Sequence, residues 1–321
     1  MKIILVLLIF ILSFFTFVSK TNPDLVKSPV KNNSLDPKIT LITSGDVIPA
    51  RTVNWKMTKL NDFTYPFAKT YQFLKNSDLT LINLEAPLVK DCPVTTEGMV
   101  FCGDQRFIQG LLFAGIDVVN LANNHSYNWG ELGLEQTQGL LEKNNILATG
   151  SPLPLVTKKI KDTNFGFLGW NILDNPDQKE IITHIKLAKE NKVDFLIVSF
   201  HWGAEYQRFP GKETIALAHR GIDNGADLIV GNHPHWYQPI EIYKDKPIIY
   251  SHGNFIFDQE WSQETKTGLL TKLVIYQNKV IDLQVFPIFI TDYSQPYFLE
   301  GFEKQKVLED LQNISEVLPT K

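Results

Sequence analysis

Asp227-Leu228-Ile229-Val230-Gly231-Asn232-His233-Pro234-His235 joins a short apolar run to two imidazoles one residue apart. Asp227 to Val230 reads as a short buried strand and Gly231 as the turn that ends it. On a regular strand His233 and His235 would point to opposite faces. They reach one site only where the backbone leaves the sheet, and Pro234, with no N–H to pair, predicts that departure. The pair is therefore expected in a loop at a strand's C-terminal end, the edge of an open α/β sheet where ligands collect.

Working outward from this segment, apolar runs alternate with amphipathic ones. Strands are predicted at Lys38 to Ser44, Leu79 to Ile82, Asp117 to Leu121, Phe165 to Trp170, Asp194 to Phe200, Asp227 to Val230 and Pro247 to Tyr250. Helical spacing falls at Tyr65 to Lys75, Arg106 to Ala114, Leu132 to Asn144, Gln178 to Asn191, Thr214 to Asn224 and Phe302 to Val317. Gly268 to Tyr276 and Val280 to Ile290 alternate as an antiparallel pair turning at Gln277-Asn278. Strands interleaved with helices, then a β-rich end, predict an α/β sandwich.

The chain has 321 residues, enough for one sizeable core, and a single domain over residues 38–321 is expected. A net charge of -4, with no basic run interleaved with aromatics, excludes a generally basic nucleic-acid binder. Residues 1–19 place Lys2 before an apolar run from Ile3 to Val18, the pattern of an export signal. The run is short of the roughly 20 residues that cross a bilayer. An uncleaved membrane anchor with an extracytoplasmic domain is the first expectation, and a cleaved signal with a secreted product the second. Residues 20–37, polar and without periodicity, read as a linker. Cys92 and Cys102 are the only cysteines and share one polar loop. In an exported protein a local disulfide is expected, with two free thiols as the alternative.

Asp46, Glu85, Asn124, His125, His201, His233 and His235 each follow an apolar strand candidate. Five strand ends thus supply carboxylate, carboxylate, amide with imidazole, imidazole, and paired imidazoles. That donor set suits one or two divalent ions of the Mn, Fe or Zn kind. Two such ions roughly 3.5 to 4 Å apart clamp attacking and leaving oxygens, and either lowers the pKa of bound water toward about 7. His184 and His219 fall within helix patterns and are set aside. Tyr206, His252 and Asn254 are weaker candidates, each with an ordinary packing or turn role as the alternative.

The order of these motifs resembles the metallophosphoesterase superfamily, and within it the CapA-type branch of poly-gamma-glutamate capsule biosynthesis. The resemblance is carried by Gly45-Asp46 with Arg51, Asn83-Leu84-Glu85-Ala86-Pro87-Leu88, and Asn123-Asn124-His125 with Trp129-Gly130. It continues through His201-Trp202-Gly203-Ala204-Glu205-Tyr206, His233-Pro234-His235 with Gln238-Pro239-Ile240-Glu241, and Gly253-Asn254-Phe255-Ile256-Phe257-Asp258. It implies a metallophosphatase-like sandwich of two packed mixed sheets flanked by helices. It also implies that Asp46 and His235 hold one metal, that Glu85 bridges, and that Asn124, His201 and His233 hold the other. His125 would protonate a leaving group or steady developing charge, with Arg51 and Glu205 as further catalytic candidates. Two positions depart from the superfamily's phosphatases. Ile48 stands where a histidine is usual, and Glu85 where the bridging residue is usually aspartate. Both look like the capsule branch, in which Arg51 offers a fixed cation to a carboxylate or phosphate. The implied partners are an anionic polymer or phosphoester, the membrane through the N-terminal segment, and subunits of capsule synthesis or export. The alternative function is a non-catalytic accessory protein that holds the polymer.

Overall fold

The computed structural model of the chain describes residues 37–150 and 155–318. The expected signal or anchor, and all of the linker but its last residue, lie outside the described residues. Among the described residues, no helix is long and apolar enough to cross a membrane.

The first half of the domain contains β1 (Ile39–Val47), α1 (Thr52–Leu60), α2 (Tyr71–Lys75), β2 (Leu79–Leu84), β3 (Leu88–Val89), β4 (Gly103–Asp104), α3 (Ile108–Ala114), β5 (Val118–Asn120), α4 (Gly130–Lys143) and β6 (Leu147–Thr149). The second contains β7 (Val156–Ile160), β8 (Thr163–Asn171), α5 (Gln178–Glu190), β9 (Phe195–His201), α6 (Lys212–Asp223), β10 (Leu228–Asn232), β11 (Ile240–Tyr243), β12 (Lys246–Ile249), β13 (Asn254–Ile256), α7 (Gln263–Lys266), β14 (Thr267–Tyr276), β15 (Lys279–Thr291), β16 (Gln295–Phe298) and α8 (Gly301–Glu316).

Two mixed sheets result. One runs β16-β15-β14-β1-β2-β5-β6 with β13 also paired to β1, and the other runs β11-β12-β10-β9-β8-β7. Strand alternation explains how they stack. In β9, Phe195 and Ile197 face one way and Leu196, Val198 and Phe200 the other. The first pair joins Ile39, Leu41, Leu79 and Leu81 of the opposite sheet in the core between the sheets. The second set packs with Ile181, Ile185, Leu217 and Ile222 of α5 and α6. On the far face of the other sheet, Ile42 and Ile82 meet Met57, Leu74, Leu111 and Leu141 of the helices. The fold is thus a four-layer α/β sandwich, each fully buried large apolar side chain contributing roughly 1.5–3 kcal/mol.

Several boundaries differ from the sequence reading for physical reasons. The helix expected from Tyr65 to Lys75 splits into a 3-10 turn, Tyr65–Phe67, and the short α2, with Pro66 opening the turn. α1 escaped the sequence reading; its own N-cap residue, Arg51 at φ 49°, makes no side-chain cap, and the Thr52 N–H donates instead to the distant Asp258 Oδ2 at 2.9 Å. β1 continues through Gly45 and Asp46, because Gly45 lies against the Gly253 carbonyl, where an added Cβ would come within 1.9 Å of the oxygen. The register of β1 shifts there against β2 and β13, so Asp46 sits on an irregular strand end rather than after it. The hairpin at Gln277-Asn278 has positive φ at both residues, as a two-residue turn requires. The chain joins Cys92 to Cys102 in a disulfide with Cα atoms 5.9 Å apart, as expected.

Candidate metal centre

The register of the sheets brings the motif residues to one edge. β1 and β2 set Asp46 beside Asn83, β2 and β5 set Asn83 beside Asn120, and β9 and β10 set His201 beside Asn232. After β10 the backbone turns sharply, with φ 98° at His233 and 58° at His235. The departure expected at Pro234 therefore occurs, and both rings turn to the same side, their centroids 5.9 Å apart. Gly231, expected as the turn that ends the strand, instead lies inside β10 paired with Phe200, where an added Cβ would meet the Tyr250 carbonyl oxygen at 2.0 Å.

Asp46, Glu85 and His201 are fully buried, and His233 and His235 nearly so. Three overlapping sets bring ligand atoms within 4.8 Å of one another: Asp46 with Glu85 and His235, Glu85 with His201 and His233, and Glu205 with His233 and His235. Asn124 joins the second set, its Oδ1 lying 2.8 Å from His201 Nε2. The structure thus gathers Asp46, Glu85, Asn124, His201, His233, His235 and Glu205 in one place.

The acids are held in different states. Burial by itself would raise the Asp46 pKa, but the His235 hydrogen bond, the polar His235 and His201 rings beside it and the Asn83 amide hold it well below the usual carboxylate range. Burial, and the charge of Asp46, push Glu85 well above it. Burial holds His201 well below the usual imidazole value, reinforced by His233, and lowers His233 to about 4. Two buried ligand atoms, Glu85 Oε1 and His233 Nδ1, have no hydrogen-bond partner. A buried acid whose charged form is disfavoured, beside imidazoles held below their usual range and orphaned lone pairs, is the environment a divalent cation relieves. The residues therefore fit a divalent metal ion.

Asn83 orders the carboxylates and was read from the sequence only as part of a motif. Its Nδ2 donates to Asp46 Oδ1 at 2.8 Å and to Glu85 Oε2 at 3.3 Å, while its Oδ1 accepts from Asn120 at 3.0 Å and Asn123 at 3.3 Å. Asn120 and Asn123 are further supports that carried no separate signal; only the register reveals them.

His125 is half-buried beside the cluster and stacks on Phe101 with centroids 4.2 Å apart. Asn128 Oδ1 accepts from the Phe101 N–H at 2.7 Å, so it also accepts from His125 Nδ1, 2.8 Å away. That leaves the Nε2 lone pair of His125 free. Burial lowers the His125 pKa despite the Asn128 hydrogen bond, so the ring is a proton acceptor at neutral pH.

Arg51 is placed differently from a cation open to substrate. Its Nε donates to Asp258 Oδ1 at 3.1 Å, its Nη2 pairs with the same oxygen, and its Nη1 reaches the Gly98 carbonyl at 3.4 Å. The guanidinium lies 4.9 Å from the ring centres of both Phe101 and Phe257. It clamps the loop closed by the disulfide against the rings that touch His125 and His235. Ile48 sits in an apolar wall with Ala50, Ala86, Phe101 and Phe257, so that corner provides no ligand atom.

His252 and Asn254 fall nearby but play supporting parts. His252 is fully buried, its Nε2 2.9 Å from Thr43 Oγ1, and burial lowers its pKa to about 4. Asn254 Oδ1 faces His235 Nδ1 at 2.9 Å. Tyr206 is pushed up to about 12, first by burial and then by Glu205. His219 lies outside the cluster, stacked on Tyr243 and paired with Glu241, and His184 stacks on Trp170.

A two-sheet α/β sandwich with acidic, amide and imidazole side chains gathered at its strand ends is the architecture of a metallophosphatase-like protein. A crystal structure of a Thermus thermophilus protein shares the fold, with a TM-score of 0.52 at 16% identity over 78% of this chain and 98% of its own. The pattern of the family described as "Bacterial capsule synthesis protein PGA_cap" matches residues 40–259, and the chain belongs to that family, within the metallophosphoesterase-like superfamily. The chain is 29% identical to the capsule biosynthesis protein CapA of Bacillus anthracis, over 96% of this chain and 80% of that protein. It is 27% identical to the PGA biosynthesis protein CapA of Bacillus subtilis over 82% and 75% of the two chains. A probable polyglutamine synthesis accessory protein of Mycobacterium tuberculosis is 26% identical over 77% and 76%.

Proposed function

We propose that this protein takes part in capsule biosynthesis as a divalent-metal-dependent hydrolase or transferase acting on an anionic polymer of the poly-gamma-glutamate type or on a phosphoester. The observation that carries the reading is the buried cluster of Asp46, Glu85, His201, His233 and His235, with Asn124 at its exposed edge and orphaned ligand atoms on Glu85 and His233. Glu85, His201, His233 and Asn124 would hold one ion, and the group around His235 a second, of the Mn, Fe or Zn class. A bound ion would polarise a substrate oxygen and lower the pKa of bound water toward about 7. His125 Nε2 takes a proton from the attacking group, and its Nδ1, fixed on Asn128, keeps the ring aimed. Arg51 acts as a positioning residue through Phe101. The N-terminal apolar segment would tether the domain outside the membrane, near subunits of synthesis or export.

A second reading is favoured by Ile48, which removes one customary ligand: an accessory protein that holds the polymer's carboxylates without turnover. The test is a screen of phosphoester and gamma-glutamyl substrates with metal-loaded and chelated protein. Metal-dependent turnover lost in His125→Ala supports the enzyme. Polymer binding that survives chelation, with no turnover, supports the accessory role.

A further inference from the structure

His235 has two ring nitrogens, and its neighbours distinguish them. Nδ1 lies 2.9 Å from Asn254 Oδ1 and 3.1 Å from Asp46 Oδ2. The orientation of the Asn254 amide is settled independently. Its Nδ2 donates to Gln259 Oε1 at 3.1 Å and to the Thr265 carbonyl at 2.9 Å, so its oxygen is the atom turned to His235. Two acceptors facing Nδ1 mean that Nδ1 carries the proton. The lone pair available to a metal is then on Nε2, on the ring edge away from the Nδ1 that Asp46 approaches.

A second carboxylate lies near this ring. Glu205 follows the His201-Trp202-Gly203 turn, and a carboxylate oxygen of Glu205, one nitrogen of His233 and one of His235 lie within 4.8 Å of one another. The loop is pinned to the imidazole turn, because Tyr206 N–H donates to the Pro234 carbonyl at 2.8 Å. Glu205 is only half-buried, so an ion can reach it from solvent. Meanwhile the apolar corner around Ile48 has no ligand to give.

We infer that Glu205 is a metal ligand, sharing the outer ion with His235 Nε2, and that Asp46 acts on this ion indirectly by accepting the His235 Nδ1–H. A carboxylate that fixes the tautomer of a ligating imidazole is a recurrent outer partner of metal sites. Glu205 thereby replaces the ligand lost at Ile48. This inference rests on the metal-dependent reading of the site.

Equilibrium dialysis of the full chain against Mn2+ or Zn2+, with the visible spectrum of the Co2+-loaded protein, tests it. Glu205→Ala should weaken the outer ion at least tenfold and change the Co2+ bands, whereas Asp46→Asn, which keeps an acceptor for Nδ1–H, should weaken it less and leave the bands in place. Glu205→Asp should restore part of the affinity. Far-UV circular dichroism checks that each variant is folded. If Glu205→Ala binds like the wild type while Asp46→Asn loses the ion, the inference is overturned and the metal reading stands. If the wild type binds no divalent ion, both fall together.

Discussion

Asp46 Oδ2 lies 3.1 Å from His235 Nδ1, joining residues 189 positions apart in the chain. The contact ties the end of β1 in one sheet to the turn after β10 in the other, so the site is built across the seam of the sandwich. Its chemistry depends on the two sheets keeping their relative position, which the apolar core between them supplies.

Asn83 holds both acids of that seam. Asn83→Ala should strand Asp46 Oδ1, while the amides of Asn120 and Asn123 keep the Ala122 and Leu84 carbonyls, costing about 1–3 kcal/mol and weakening metal affinity about 10- to 100-fold. Urea unfolding and a metal titration measure the two effects. Unchanged affinity would remove Asn83 from the site's support.

His252 gives a pH dependence that does not involve a ligand. Burial lowers its pKa to about 4 from the ordinary 6.5. The unfolded chain therefore binds a proton that the folded chain refuses, and stability present above pH 6.5 is lost as pH falls toward 4. The contribution is about 3 kcal/mol at most, at 1.36 kcal/mol per pKa unit. Chemical denaturation across that window should show a shallower fall for His252→Gln than for the wild type.

Arg51 and Asp258 are a mostly buried pair, with side chains 13% and 3% exposed. Arg51→Ala leaves the Asp258 charge without its partner and should cost about 3–5 kcal/mol. Arg51→Met combined with Asp258→Asn, which keeps an acceptor for the Thr52 N–H, should recover much of that loss in thermal unfolding, whereas an equally damaged double variant would show that packing, not charge, is what Arg51 supplies.

The disulfide closes a loop with a sequence separation of 10, and Phe101, the neighbour of Cys102, carries the His125 ring. Replacing both cysteines with serine should lower unfolding free energy by about 2–3 kcal/mol on the chain-entropy estimate. It should also reduce any His125-dependent turnover more than it reduces metal binding. Equal losses in both would argue that the loop supports the whole site rather than His125.

Much of this arrangement could be read before the structure. Apolar runs ending in Asp46, Glu85, Asn124, His201 and His233 placed the strands and the edge where they meet, because buried parallel strands and their polar ends are local patterns. The resemblance of the ordered motifs supplied the two-sheet sandwich, and with it an expected allotment of ligands. What local patterns could not show was pairing. Asn120 gains its role only because β5 lies beside β2, and Asn254 only because β13 returns along β1. The orientation of Arg51 toward Asp258, 207 residues away, is likewise invisible in either motif alone. The cap of α1 is supplied by Asp258, 206 positions from Thr52, so no local signal marked its start, and the helix expected at Tyr65 opens instead as a 3-10 turn at Pro66.

The most direct test is the metal content of the intact protein after dialysis against micromolar Mn2+ or Zn2+, measured by elemental analysis beside a His201→Ala, His233→Ala variant. A divalent-metal site predicts at least one ion per wild-type chain and a marked loss in the folded variant. A wild-type chain that retains no ion, or a variant that retains as much, would contradict it.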